Sequence, residues 1–198
     1  MRLLVRGDGR LDRWEAGFSR LSAGQARLVL IRALNRAGDS ADSRVRTALS
    51  RQMGVKRLNV RKALRHRRAG GGVLEYNITG TGKYFSLIDA KGVKRGWIRK
   101  TIGDRSVRLQ RVAAAAWNAP KAYPGAFMAS GAAGAVAGAG ATHIFARTSD
   151  QRFPLKKLWG PSVPREMERD EVPKTFDRTV EEVLPRRIDH ELGRMLEI

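Results

Sequence analysis

Side chains that carry most enzyme chemistry are scarce in this 198-residue chain, which has three histidines, His66, His143 and His190, and no cysteine. With no thiolate and with histidines far apart, neither a disulfide scaffold nor a thiolate-dependent zinc site is available. The lack of cysteine fits a reducing compartment. Gly80-Thr81-Gly82-Lys83 resembles the end of a phosphate loop. That loop needs a glycine five residues before its Gly-Lys pair and a serine or threonine after it, and Asn77 and Tyr84 stand there instead. Asp189 and His190 are neighbours on a predicted helix, where adjacent residues point about 100° apart and cannot serve as base and orienter. His190 therefore reads as a helix-surface residue. Glu166, Glu168, Asp170 and Glu171 form an acidic cluster. Without matching carboxylates from another strand, it reads as a solvated face and not as a cation site. No stretch combines a nucleophile, its base and an oxyanion site, so the expectation is a protein with no catalytic residue, cofactor or metal.

Charge is more informative. The chain holds 39 Lys+Arg and 19 Asp+Glu, a formal net charge of +20. Residues 1–111 carry 27 basic and 8 acidic residues, whereas residues 112–198 carry 12 and 11. The densest part has Arg44, Arg46, Arg51, Lys56, Arg57, Arg61, Lys62, Arg65, Arg67 and Arg68 with no acidic residue between the first and the last. A solvated helix face is the plain reading of a charge run. Over 25 residues with no balancing acid, self-repulsion favours an anionic partner, either a polyanion or an acidic protein face.

The elements that position these groups follow from periodicity. At 42% hydrophobic, the chain reads as one domain able to bury roughly 70% of its unfolded surface. Ser22-Ala23-Gly24-Gln25 has capping-box spacing, and Leu28, Ile31 and Leu34 or Asn35 recur on one face until Gly38 ends the run. Asp39 or Ser40 caps a second predicted helix with Val45, Leu49 and Met53 at four-residue steps and Gly54 as its stop. A short third helical turn starts at Asn59. Leu74, Tyr76 and Ile78 then alternate with polar residues before Gly80-Thr81-Gly82, and Tyr84 to Ile88 follow, which predicts a hairpin. Residues 89–105 read as a Lys/Gly-rich connection around Trp97, Ser106–Val112 and Thr142–Thr148 as further strands. Prolines 154, 161 and 164 deny a long helix to the next segment. A C-terminal helix carries Phe176, Val180, Leu184, Ile188, Leu192 and Leu196 at four-residue steps, with Pro185 expected to kink it.

The fold class is therefore α+β: a small, mostly antiparallel sheet flanked by N-terminal helices and a long kinked C-terminal helix. Residues 1–18 are expected to form an N-terminal arm and residues 19–198 a single domain, with a flexible Gly/Ala loop at 129–141 and a C-terminal helical region at 165–198. Met1 to Val5 are followed at once by Arg6 and Asp8, so no secretion signal is read. Ala122 to Ala146 lacks formal charge, but it is dominated by Ala and Gly and interrupted by Pro124, Thr142 and His143. It reads as a loop between ordered pieces and not as a membrane span.

One block is specific. Arg147-Thr148, a spacer, and then Phe153-Pro154-Leu155-Lys156-Lys157-Leu158-Trp159-Gly160-Pro161-Ser162-Val163-Pro164 resemble the tailed-phage minor tail protein Z family, the tail-completion proteins of long non-contractile tails. Arg32 to Ala37 and Tyr123-Pro124-Gly125-Ala126-Phe127 extend the resemblance, which runs from about residue 20 to the C-terminus. Residues 89–105 and the Gly/Ala tract look longer than the family's usual connections.

This resemblance implies a virion component at the head-proximal end of the tail, present in the host cytoplasm during assembly, that finishes the tail and helps join it to the head. Its implied partners are other copies in a ring, tail terminator, tail tube or neck/connector proteins, and also phage DNA, with no membrane. Leu155, Leu158, Trp159, Gly160, Pro161, Ser162, Val163 and Pro164 are the expected subunit or neck interface, because prolines lower the ordering cost of an apolar surface. The other reading is that Leu155, Leu158 and Trp159 cover the subunit's own core. The basic run either binds phosphates at the genome end or docks on an acidic ring, and the second is favoured because fixed cations would hinder sliding DNA. A free, sequence-nonspecific DNA-binding protein is the competing reading from composition, but it gives the Gly-Pro-Ser-Val-Pro block no role.

Overall fold

A reciprocal cap opens the longest element. The Ser22 N–H donates to Gln25 Oε1 at 3.0 Å and the Gln25 N–H donates to Ser22 Oγ at 3.3 Å, which satisfies two of the donors that a helix start leaves unpaired. From there α2 (Ala23–Met53) runs unbroken for 31 residues. The structure of the chain, a computed structural model, describes residues 10–70, 72–82, 84–102, 105–130, 142–149, 151, 153–169 and 171–196. The other α-helices among the described residues are α1 (Arg10–Ser19), α3 (Arg57–Ala63), α4 (Val163–Met167) and α5 (Glu171–Leu196). Ten short strands complete the α+β fold: β1 (Leu64–Arg67), β2 (Asn77–Gly80), β3 (Tyr84–Ser86), β4 (Lys94–Ile102), β5 (Arg105–Ala114), β6 (Lys121–Pro124), β7 (Ala126–Ser130), β8 (Thr142–Arg147), β9 (Leu155–Lys157) and β10 (Trp159–Ser162). They form four small sheets, ordered β1-β2, β10-β3, β4-β5-β6 and β7-β8-β9.

The chain gathers into two compact units. The first comprises Met1–Val45, His66–Ile78 and Lys174–Ile198, the second Arg46–Arg65 and Thr79–Pro173. In the first, Val29, Ala33, Ile188 and Leu192 form a buried core, with Trp14, Phe18 and Leu184 packed against it. Residues 10–18 of the expected N-terminal arm belong to helix α1, and Trp14 Nε1 donates to Asp189 Oδ1 at 2.6 Å. The four-residue stripe expected along the C-terminal helix holds at Val180, Ile188 and Leu192, all buried. Pro185 lies inside a continuous α5.

Two expectations for α2 are corrected. Its buried stripe is Val29, Ala33, Ala37, Ala41, Val45, Leu49 and Met53, one position off the predicted Leu28–Ile31–Leu34 face, and Leu28 is exposed. Alanines permit the close approach that the larger residues would block. Gly38 does not end the helix. A Cβ there would lie 2.3 Å from the Tyr76 ring, so the glycine is a seat for that ring, and Asp39, expected as a cap, accepts hydrogen bonds from Tyr76 Oη at 3.0 Å and from Arg68. The predicted stop at Gly54 holds, with φ at +63° and a Cβ position only 2.3 Å from Ala115 O.

In the second unit Leu87, Ala90, Val112, Ala114, Ala116, Ala126 and Ile144 make the core, joined by partly buried Tyr123, Met128 and Leu158. The hairpin predicted from residues 74–88 does not form. β2 pairs with β1 and β3 with β10, because Ser86 and Tyr84 find their ladder partners in Trp159 and Ser162, more than seventy residues on. Residues 94–102, read as connection, are strand β4, laddered to β5 from Lys94–Ala113 to Ile102–Arg105. Alternation there was masked by closely spaced cations. Of the stretch read as a Gly/Ala loop, Ala129 and Ser130 end β7, and residues 131–141 lie outside the described residues, as do Lys83 and Asp170. No helix among the described residues is long and apolar enough to cross a membrane.

Gly38→Ala is expected to destabilise the protein by about 1–3 kcal/mol through overpacking on Tyr76. Gly24→Ala, whose added methyl meets nothing within 4 Å, should raise stability by up to about 1 kcal/mol. Urea unfolding of the pair separates a packing glycine from an ordinary one.

Burial alone would raise the Asp39 carboxyl, but its bonds from Arg68 and Tyr76 outweigh that and hold it below its usual range. The depressed value means that Asp39 stabilises the fold above the ordinary carboxylate pKa of about 3.9, and that this contribution is lost as pH falls through the folded-state value. Asp39→Asn should therefore be less stable than the parent at pH 7 and approach it as pH falls below the ordinary carboxylate range, as read by denaturant melts at successively lower pH.

Candidate interaction surfaces

The ten cations of the Arg44–Arg68 run divide between the two units, three in the first and seven in the second. In the first unit Arg44 donates to Glu182 Oε2 at 2.8 Å, Arg67 lies 3.5 Å from Glu75 Oε2, and Arg68 pairs with Asp39. Arg44 beside Glu182 holds that carboxyl below its usual range. These carboxylates lie outside the run in sequence, so local spacing could not reveal the neutralisation.

In the second unit Arg51 is exposed and Arg46 half-buried. The densest group sits on and beside α3, where Lys56, Arg57, Arg61, Lys62 and Arg65 are all exposed. Fully buried Val60 and nearly buried Leu64 fix which side of this helix faces the core. Asn59 Nδ2 donates to Asp89 Oδ1 at 3.2 Å, and the Thr81 N–H donates to Ala63 O at 2.7 Å. With its apolar side anchored, α3 turns its cations outward. Lys56, Arg61, Lys62 and Arg65 meet no carboxylate among the described residues.

The 155–164 block divides. Gly160, Pro161, Ser162 and Val163 are buried, and β10 is held against β3. Leu158 packs on the core, its N–H donating to Ile144 O at 2.9 Å and its carbonyl accepting from the Leu87 N–H at 3.1 Å. The prolines here shape the subunit's interior, and Pro164 sits in the first turn of α4. Leu155 and Pro164 are half-buried. Trp159 is 51% exposed and Phe153 53%, and the Lys157 ammonium lies 4.3 Å from the Trp159 ring centroid. The outward part of the block is this aromatic pair with Leu155.

Glu166, expected on a solvated acidic face, is 3% exposed. This corrects the reading of the acidic cluster, of which Glu168 and Glu171 are exposed. Trp117 Nε1 donates to Glu166 Oε1 at 2.9 Å, and Gln52 Nε2 donates to Oε2 at 2.7 Å. Arg169 lies 3.6 Å from Oε1. Both oxygens are engaged, so the carboxylate is an anchor and not a free base. It holds the Trp117 side chain, while Asn118 Nδ2 donates to Arg51 O; the two residues have φ of 55° and 54°, conformations costing about 1–3 kcal/mol each. Beside it a pocket of about 370 Å³ is lined by Tyr84, Trp117, Ser162, Arg165, Glu168 and Arg169. Arg165 donates to Tyr84 Oη at 2.8 Å there. No spacing rule links residues 52, 117 and 166, which is why the anchor was not legible in the sequence. Among the described residues no group of three or more His, Asp or Glu side chains could hold a metal ion.

A family model of phage tail components matches residues 16–198, nearly the whole chain. The family is prophage minor tail protein Z; the chain belongs to it and is a structural protein of the phage virion tail. No curated protein and no solved structure matches the chain.

Glu166→Ala removes the acceptor for two donors and leaves Arg169 without its partner. It should cost about 1–3 kcal/mol through the donors left without an acceptor, read as a lowered Tm by circular dichroism. Trp117→Phe, which deletes one hydrogen bond and keeps the ring, should cost clearly less.

Proposed function

We infer that the protein works at the head-proximal end of the tail, where it completes the tail and helps join it to the head through ring-type contacts with its own copies and with neck or tail proteins. The exposed α3 face, with Lys56, Arg61, Lys62 and Arg65 meeting no carboxylate among the described residues, carries this reading. A structural subunit needs no reacting group. It needs surfaces that find the right neighbour, and uncompensated charge of one sign speeds and orients docking on an acidic ring. Phe153, Leu155 and Trp159 supply an apolar contact of the kind that anchors such interfaces. Contact with the genome end belongs to the same reading. Membership of a tail-protein family supports it over a free DNA-binding protein.

Replacing Arg61, Lys62 and Arg65 with Glu tests the docking face. These three exposed side chains take no part in the described hydrogen bonds, so the variant should fold as the parent does. Phage carrying it should accumulate tails and filled heads that fail to join, with infectious titre down by at least about tenfold, the loss expected when roughly 1.4 kcal/mol of association energy is removed. Normal titre with the variant present in the particles would reject the docking role, and absence of the protein from purified particles would reject the tail location.

A further inference from the structure

β4 and β5 form an antiparallel ladder of nine paired positions, from Lys94–Ala113 to Ile102–Arg105, about 30 Å long at strand spacing. β6 pairs only with Arg111–Ala114, so along the rest of β5 the strand partner among the described residues is β4. Seven of the nineteen residues in these two strands are Lys or Arg and none is Asp or Glu. No cross-strand ion pair can therefore form within the ladder. Arg99 and Arg108 are register partners across the ladder. Lys94, Arg95 and Arg111 are exposed, and so is Trp97, at 54%.

We propose that the β4–β5 ribbon is a DNA-binding element that grips the phosphate backbone of the double helix without reading its sequence. A two-stranded ribbon has the width of the major groove. Its single sign of charge along about 30 Å matches a linear array with one negative charge per roughly 1.7 Å of axis. The exposed Trp97 ring, paired in register with Gln110, adds a flat surface for sugar or base contact. The ribbon thus gives the genome contact of the reading above its own element, separate from the α3 docking face.

The test uses the full-length purified chain and a fluorescent duplex of roughly 30 base pairs, titrated between about 50 and 200 mM salt. Each phosphate neutralised contributes about −0.9 to the slope of log affinity against log salt. Changing Arg95, Arg99 and Arg108, which fall on one face of the ribbon by register, to Gln should lower that slope by about 2 to 3, whereas the same change at Arg61, Lys62 and Arg65 should leave it near the parent's. Photo-crosslinking of the unmodified protein to the duplex should label peptides of β4 and β5, a readout independent of whether the variant folds. An unchanged slope, crosslinks confined to α3, or competition by polyglutamate as effective, charge for charge, as by DNA would overturn the proposal, the last in favour of an acidic protein partner. Because the assay needs no virion, absence of the protein from particles would reject the tail reading and leave the ribbon's affinity to stand or fall by itself.

Discussion

The longest helix is shaped by a mismatch between its residue count per turn and the spacing of its buried side chains. Residues four apart on α2 advance about 40° beyond a full turn. The stripe from Val29 to Met53 therefore winds around the helix instead of tracking one face. Val29 and Ala33 enter the core of the first unit, while Leu49 and Met53, at the other end, are buried in the second. The same economy of side-chain volume recurs at Gly38, which seats the Tyr76 ring, and at Gly54, where the chain turns back past Ala115.

A second constraint is charge. With twenty more cations than anions, the chain cannot neutralise itself, and the fold distributes the excess unevenly. Carboxylates distant in sequence meet Arg44, Arg68, Arg32 and Arg169. Arg61 and Lys62 of α3 meet no carboxylate among the described residues, and the strands of the β4–β5 ladder contain no Asp or Glu. Exposed ion pairs add little stability each. Their importance is that they remove cations from the surface available to a partner.

The buried Glu166 shows the opposite use of charge. A carboxylate removed from water must be paired and hydrogen-bonded, and Gln52, Trp117 and Arg169 meet that demand from three elements of the second unit. The left-handed pair Trp117 and Asn118 persists because the carboxylate and the Arg51 carbonyl hold their side chains. Gly160 to Val163 belong to the same interior. The residues that identify the family by sequence are thus largely those that build this unit, while Trp159 and Phe153 face outward.

What was legible in the sequence was what depends on near neighbours. The capping box at Ser22 and Gln25, the stop at Gly54, the stripe along α5, the strands β5 and β8 and the absence of a regular long helix through residues 153–162 all follow from residues within a turn or two of one another. So did the family resemblance, carried by a contiguous block. Tertiary structure alone decided that Gly38 is a packing seat, that β3 pairs with β10 and not with β2, that Glu166 is buried, and which cations of the basic run are already paired. Each of these depends on groups tens to more than a hundred residues apart, and local propensity contains no term for such meetings. The α+β class could be read from the chain because periodicity is local; the surfaces open to partners could not, because exposure is fixed only when distant segments have packed.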